Sequence, residues 1–132
     1  MYNMGFAQSG YVAAAKDARV MSANPHELIT ILFEELLNLL DEIYVIYKRS
    51  ETREIADQQA MALSIVDSLM ISLDMGKGGD LAQNLHRLYG QVRQLIEARE
   101  ADNRLQNNRL ENNRTAHLII SEIFSAWSQI NR

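Results

Sequence analysis

The side chains best suited to chemistry in this 132-residue chain are three histidines, His26, His86 and His117. An imidazole can bind a metal or act as a general acid or base, but each role needs partners at a defined spacing. Helical di-iron sites place a glutamate three residues before each histidine, and none of these histidines has one there. We therefore expect no metal site and no cofactor, and we interpret the histidines as helix-surface or capping residues.

Nucleophilic catalysis finds little support. The chain has no cysteine, which excludes disulfides, thiolate metal sites and thiol nucleophiles. Its serines form no Gly-x-Ser-x-Gly elbow, and no histidine adjoins a plausible nucleophile in the sequence. We predict that the protein is not an enzyme, and an enzyme whose catalytic groups meet only in the fold is left as an alternative.

The stretch Gly76-Lys77-Gly78-Gly79 resembles part of a phosphate-binding loop. Such a loop needs a preceding strand, a wider glycine spacing and a serine or threonine after the lysine, and all three are missing here. Glycine tolerates the left-handed backbone conformation that ends helices. The stretch therefore predicts a turn between two helices.

Four arginines recur every five residues from Arg99 to Arg114, a pattern that could indicate contact with RNA. A five-residue interval scatters side chains around a helix, and four nearby carboxylates offset the positive charge. The whole chain has a formal net charge of −4 and a pI of about 5.3. We predict a solvated linker here and no nucleic-acid partner.

The first twenty residues lack a basic start followed by a continuous apolar stretch, and about eighteen apolar residues never run together. We therefore expect neither a Sec-type signal nor membrane insertion, and a cytoplasmic location. The apolar fraction of 47% and the charged fraction of 23% are ordinary for a globular protein. These values predict one folded domain over residues 1–132.

The stretch Asn24-Pro25-His26-Glu27 is typical of a helix start. Asn24 can cap the helix with its side-chain oxygen, Pro25 suits the first helical position, and Glu27 can reach back to the cap. Apolar residues then cover about half of the helix circumference as far as Lys48. This broad arc predicts a central helix over residues 25–48 that contacts several neighbours.

Three further helices follow from apolar residues at helical spacing, over about residues 52–75, 80–101 and 108–131. Asp80 is the expected cap of the third helix. Between residues 99 and 114 a near repeat with a period of five cannot keep one face, which predicts a polar linker with frayed helix at both ends. The predicted fold is all-α: an antiparallel four-helix bundle with a short N-terminal arm or helix over residues 1–23.

The chain has more apolar residues than the seams of such a bundle need. Ile31, Ile71 and Phe124 lie outside the assigned stripes, and further apolar residues lie in the arm. Single exposed apolar residues are normal, but as a set they are compatible with a groove that receives amphipathic helices. The six methionines fit a surface that must adapt its shape, although methionine also fills cores.

An ordered series of short motifs resembles the FliS family of flagellar secretion chaperones. The residues concerned are Tyr11, Val20-Met21-Ser22-Ala23-Asn24-Pro25-His26-Glu27-Leu28-Ile29, Leu32-Phe33, Ser72-Leu73-Asp74, Leu81, Asn84-Leu85, Leu88-Tyr89, Leu95-Ile96-Glu97-Ala98 and Ala126-Trp127. The resemblance implies a cytosolic helical bundle that binds the C-terminal helical segment of flagellin. It further implies that this binding prevents premature polymerisation and assists delivery to the flagellar type III export apparatus.

We expect the client to contact the protein through aromatic and large aliphatic side chains. The candidate residues are Tyr11, Met21, Ile31, Phe33, Ile71, Tyr89 and Phe124. Tyr11 is also the expected anchor of an N-terminal arm that covers the groove until a client displaces it, although permanent packing of Tyr11 on the bundle is an equal alternative. The main rival function is a structural or regulatory bundle that associates with itself through the same apolar surface.

Overall fold

The computed structural model describes residues 18–49, 55–97 and 109–130. Four long helices lie in these ranges: α1 (Pro25–Lys48), α2 (Ala56–Ile71), α3 (Gly79–Glu97) and α4 (Arg109–Ser128). Residues 18–22 are also helical, and the three described ranges contain no strand. The predicted all-α fold class is confirmed.

The helices form a four-helix bundle in which α1 and α3 each pack against both α2 and α4. Neighbouring helices run in opposite directions. His26 at the start of α1 contacts Trp127 at the end of α4, and Gln59 near the start of α2 bonds to Ile96 near the end of α3. The starts of α1 and α3 and the ends of α2 and α4 therefore share one end of the bundle, which we call the lower end.

Helix α1 supplies the largest share of the core. Its buried side chains are Phe33, Leu36, Leu39, Leu40, Ile43 and Ile46. The first four of these form one cluster with Ala62, Val66 and Leu69 of α2, Tyr89, Val92 and Ile96 of α3, and Ala116 and Ile120 of α4. The broad apolar arc of α1 thus serves the two neighbouring helices and the core between them, as the sequence predicts.

The start of α1 is held by its predicted cap. The Asn24 side-chain oxygen accepts a hydrogen bond of 2.8 Å from the backbone N–H of Glu27, and Pro25 occupies the first turn. Proline costs nothing there because the first N–H groups of a helix have no partner within it. The prediction that Asn24 caps this helix is confirmed.

The turn between α2 and α3 is longer than the sequence indicates, because α2 ends at Ile71 rather than near residue 75. The Asp74 carboxylate accepts hydrogen bonds from the backbone N–H groups of Gly76 at 3.1 Å and Lys77 at 2.9 Å. An aspartate side chain that bonds its own local backbone competes with the helix, so α2 stops early. Gly79 has a φ of +55°, which glycine adopts without strain.

The start of α4 at Arg109 lies close to the predicted helix start at about residue 108. Residues 109–114, where the repeat indicates a linker with frayed helix at its ends, are helical. The Asn113 side chain is buried here, and its amide donates a 3.0 Å hydrogen bond to the carbonyl of Leu40. The remaining linker residues, 99–108, lie outside the described residues, as do residues 52–54 and 98–101 at the predicted helix ends.

Candidate functional site

Large exposed apolar side chains are concentrated at the lower end of the bundle. Those at this end are Val20, Met21, Leu28, Ile71, Met75, Leu81 and Ile130. Val45, Met61, Leu110 and Leu118 are exposed elsewhere. A concentration of apolar surface at one end of a small domain is typical of a binding surface rather than of a catalytic cleft.

Two candidate client contacts from the sequence lie on this end and are almost fully accessible. Met21 is 87% exposed and Ile71 is 83% exposed. Met21 belongs to the helical residues before α1, and Ile71 is the last residue of α2. Both side chains are therefore available to a partner without any rearrangement.

The other candidates differ in accessibility. Ile31 is partly exposed, and Phe124 is partly buried with its ring stacked on that of Phe33 at a centroid distance of 5.3 Å. Phe33 is 1% exposed and Tyr89 is 3% exposed, so both lie in the core. Tyr11 and the rest of the N-terminal arm up to residue 17 lie outside the described residues. The role of all seven in client binding stays a prediction.

Burial also changes the chemistry of Tyr89. Removal from water penalises the phenolate and raises the pKa of Tyr89 to about 12. The side chain is therefore neutral at physiological pH. A neutral aromatic ring in the core stabilises α3 against its neighbours.

The lower end of the α1–α4 interface is closed by a ring of hydrogen bonds. His26 Nε2 donates to the Trp127 carbonyl at 3.3 Å, and Trp127 Nε1 donates to Thr30 Oγ1 at 3.2 Å. Thr30 Oγ1 donates in turn to the His26 carbonyl at 3.2 Å. The His26 and Trp127 rings stack with their centroids 4.4 Å apart. His26 thus fastens the end of α4 to the start of α1.

The upper part of the same interface is polar as well. The Arg114 guanidinium lies 4.0 Å from the centroid of the Tyr44 ring and 3.1 Å from Asp41 Oδ1. His117 Nε2 lies 3.3 Å from the same carboxylate oxygen. A second helix could enter the α1–α4 interface only by breaking these contacts, so this seam is a poor receptor.

Polar contacts also connect α2 and α3. Arg93 lies 3.4 Å from Asp67 across the interface and 3.3 Å from Glu97 on its own helix. Gln59 Nε2 donates to the Ile96 carbonyl at 3.3 Å. These partly exposed pairs contribute little stability individually, but they occupy the outer edge of the α2–α3 seam.

Two residues that the sequence assigns to buried stripes are exposed near the lower end of the bundle. Leu81, which the sequence places in the buried stripe of the third helix, is 68% exposed. Ile130, which the sequence places in the stripe of the fourth helix, is 52% exposed. Helical spacing in the sequence does not predict this exposure, because apolar residues keep the same spacing where no neighbouring helix covers them.

Other classes of site receive no support within the described ranges. No group of three or more histidine, aspartate or glutamate side chains there is placed to hold a metal ion. Among the helices in those ranges, none is long and apolar enough to cross a membrane.

The family model described as flagellar protein FliS matches residues 7–132, which is nearly the whole chain. The chain belongs to the FliS family.

Curated relatives support this assignment. The chain is 31% identical over 123 residues to the flagellar secretion chaperone FliS of Salmonella typhimurium, a match that covers 92% of this chain and 87% of the relative. It is 34% identical over 104 residues to the flagellar secretion chaperone FliSB of Pseudomonas aeruginosa, covering 78% and 82% of the two chains. The FliS of Vibrio cholerae is 30% identical over 121 residues, covering 91% and 85%. No solved structure shows significant similarity to the chain. The family is one of chaperones rather than of enzymes.

Proposed function

We propose that this protein is a cytoplasmic export chaperone that binds the C-terminal helical segment of flagellin, prevents its premature polymerisation and assists its delivery to the flagellar type III export apparatus. The observation that supports this most strongly is the match to flagellar secretion chaperones over nearly the full chain. The concentration of exposed apolar side chains at the lower end of the bundle supports the same function.

The proposed mechanism is capture of a helix without turnover. Each large apolar side chain of the client that leaves water against the bundle contributes about 1.5–3 kcal/mol before ordering costs. A client segment that is unfolded when free must be ordered on binding, which reduces the net affinity. Met21 and Ile71 are the accessible members of the proposed contact set, and Ile31 and Phe124 are partly accessible. Phe33 and Tyr89 would reach the client only after their neighbours move.

A filament-elongation assay tests the proposal. At equimolar concentration the protein should delay seeded elongation of purified flagellin, and an excess of flagellin C-terminal peptide should restore elongation by competing for the chaperone. The double substitution Met21→Ser/Ile71→Ser should shorten the delay, because it removes two exposed apolar side chains. Met61→Ser is the matched control, since Met61 is also exposed but lies near the start of α2, away from the lower end. An elongation rate unchanged by excess protein would refute the proposal.

A further inference from the structure

Helix α4 is anchored unequally along its length. Its fully buried residues all lie in the half that begins at Arg109, and they are Asn113, Ala116 and Ile120. No residue from 121 to 128 is fully buried. We call this range, 121–128, the α4 strap. Segments with few buried side chains open at a lower free-energy cost than segments fixed in a core, so the strap is the part of α4 that leaves the bundle most easily.

The α4 strap covers an aromatic side chain of α1. Phe33 is 1% exposed, and the two aromatic rings of the strap lie against it. The ring centroid of Phe33 is 5.3 Å from that of Phe124 and 6.4 Å from that of Trp127. Phe124 and Trp127 are themselves only partly buried. Movement of the strap away from α1 would therefore uncover an aromatic cluster made of these three residues.

The ring of hydrogen bonds between His26, Thr30 and Trp127 holds the strap in place, but its contacts are long. The Trp127 indole donates to Thr30 Oγ1 at 3.2 Å, and His26 Nε2 donates to the Trp127 carbonyl at 3.3 Å. Both distances are at the upper limit for N–H···O hydrogen bonds. In addition, His26 Nδ1 is buried and has no hydrogen-bond partner among the described residues. A buried polar atom without a partner costs free energy, and opening of the strap would return this atom to water.

The other half of α4 has stronger polar contacts with α1. The buried Asn113 amide donates to the Leu40 carbonyl at 3.0 Å, and the Arg114 guanidinium donates to Asp41 Oδ1 at 3.1 Å. Between these contacts and the strap, the fully buried side chain of Ile120 packs in the core cluster. These interactions fix α4 as far as Ile120, so we expect an opening motion to be limited to the strap.

We propose that the α4 strap is a lid over the aromatic cluster, and that the ring of hydrogen bonds must open before a client can contact Phe33. The inference rests on the proposed chaperone function and adds a conformational step to it. It also gives a physical route by which Phe33, a candidate contact in the sequence, becomes accessible despite its burial. The apparent affinity for the client is then the affinity of the open form multiplied by the fraction of molecules that are open.

Hydrogen exchange of the full chain tests the lid. Thr30→Val keeps the volume of the side chain but removes the acceptor for the Trp127 indole. Amide hydrogens of the strap should exchange about three to ten times faster in this variant, because the closed form loses one hydrogen bond. Amide hydrogens from 113 to 120 should be unchanged. Ser68→Ala is the matched control, since the Ser68 hydroxyl also donates to the carbonyl four residues earlier, but lies on α2, away from the strap.

Calorimetric titration with the flagellin C-terminal peptide tests the role of the lid in binding. Thr30→Val should bind the peptide more tightly than the native chain, by the same factor as its strap exchange accelerates, because both quantities follow the open fraction. Loss of a merely structural contact would weaken binding or leave it unchanged. Trp127→Phe removes the indole donor and keeps an aromatic ring, and this second variant should show both effects. Ser68→Ala should match the native chain in both measurements.

The outcomes separate the lid from the wider function. If neither Thr30→Val nor Trp127→Phe accelerates exchange selectively in the strap, the strap is not a lid and the inference is overturned. If exchange accelerates but the peptide binds no more tightly, client access does not depend on the lid, and the inference is overturned while the chaperone function stands. If the peptide does not bind the native chain at all, the proposed function fails, and the role of the lid in binding fails with it.

Discussion

At the scale of single residues, the burial of Tyr89 links the core of the bundle to a measurable acid–base property. Burial raises the pKa of Tyr89 to about 12 from the ordinary value of 10.0. The folded protein therefore holds this proton more tightly than the unfolded chain does. Titration of Tyr89 therefore leaves the free energy of unfolding unchanged below about pH 10 and lowers it as the pH rises from about 10 towards 12.

Replacement of Tyr89 by phenylalanine should remove that part of the pH dependence. At pH 11 the native protein should have lost about 1 kcal/mol more of its free energy of unfolding, relative to pH 9, than Tyr89→Phe. Urea unfolding of both proteins at the two pH values measures the difference, and the other tyrosines cancel in the comparison. Parallel losses in the two proteins would show that the phenol of Tyr89 is accessible to water in the folded state.

Residue identity alone does not distinguish a buried aromatic ring from a binding residue. Phe33 and Tyr89 are candidate client contacts in the sequence and lie in the core of the structure. Met21 and Ile71, from the same candidate set, are among the most exposed apolar side chains. The difference depends on which helices cover each position, and helical spacing within one element contains no information about its neighbours.

At the scale of elements, the turn between α2 and α3 contains a glycine that its surroundings require. A Cβ atom added at Gly78 would lie 2.6 Å from the backbone oxygen of Asp74 and 2.5 Å from Cβ of Ala82. Both distances are shorter than a van der Waals contact between such atoms, and the Asp74 oxygen belongs to the backbone, which cannot move aside as a flexible side chain can. The turn and the first turn of α3 would have to move apart to accept a side chain.

Two glycine-to-alanine substitutions should therefore have opposite effects. Gly78→Ala should destabilise the protein by about 1–3 kcal/mol because of the forced overlap. Gly90→Ala, in the middle of α3 with no atom within 4 Å of the added Cβ, should stabilise it by about 0.5–1 kcal/mol through higher helix propensity. Thermal and urea unfolding of both variants measure the effects. Equal changes of the same sign would contradict this description of the turn.

Local signals predict some element boundaries and not others. The start of α1 follows from Asn24 and Pro25, because a cap and a first-turn proline act within a few residues of themselves. The order of residues 109–114 is less evident from the repeat itself, because the buried amide of Asn113 has its partner at Leu40, far away in the sequence. The Leu40 carbonyl reaches Asn113 only in the folded bundle, so the polar repeat considered alone predicts a linker.

At the scale of the whole molecule, the four helices are held together unequally. The α1–α4 interface combines the hydrogen-bonded ring of His26, Thr30 and Trp127 with the contacts of Arg114 to Asp41 and Tyr44. The lower end of the bundle instead carries exposed apolar side chains, such as Met21 and Ile71. Polar contacts therefore hold the α1–α4 interface, while apolar side chains at the lower end remain accessible.

The all-α class and the family could both be predicted from the sequence, because apolar periodicity and ordered motifs are properties of the chain itself. The hydrogen bonds across the α1–α4 interface could not be predicted, because they join residues about a hundred positions apart, such as His26 and Trp127. The exposure of Leu81 could not be predicted from the sequence either, because it depends on where the neighbouring helices end.

The most direct test of the central claim is calorimetric titration of the full chain with a peptide that spans the C-terminal helical segment of flagellin. The account predicts saturable binding, a negative heat-capacity change from burial of apolar surface, and a higher melting temperature in the presence of peptide. A peptide from the flagellin N-terminal segment should give no comparable heat. Absence of saturable binding at concentrations where the protein is folded, or equal binding of both peptides, would contradict the account.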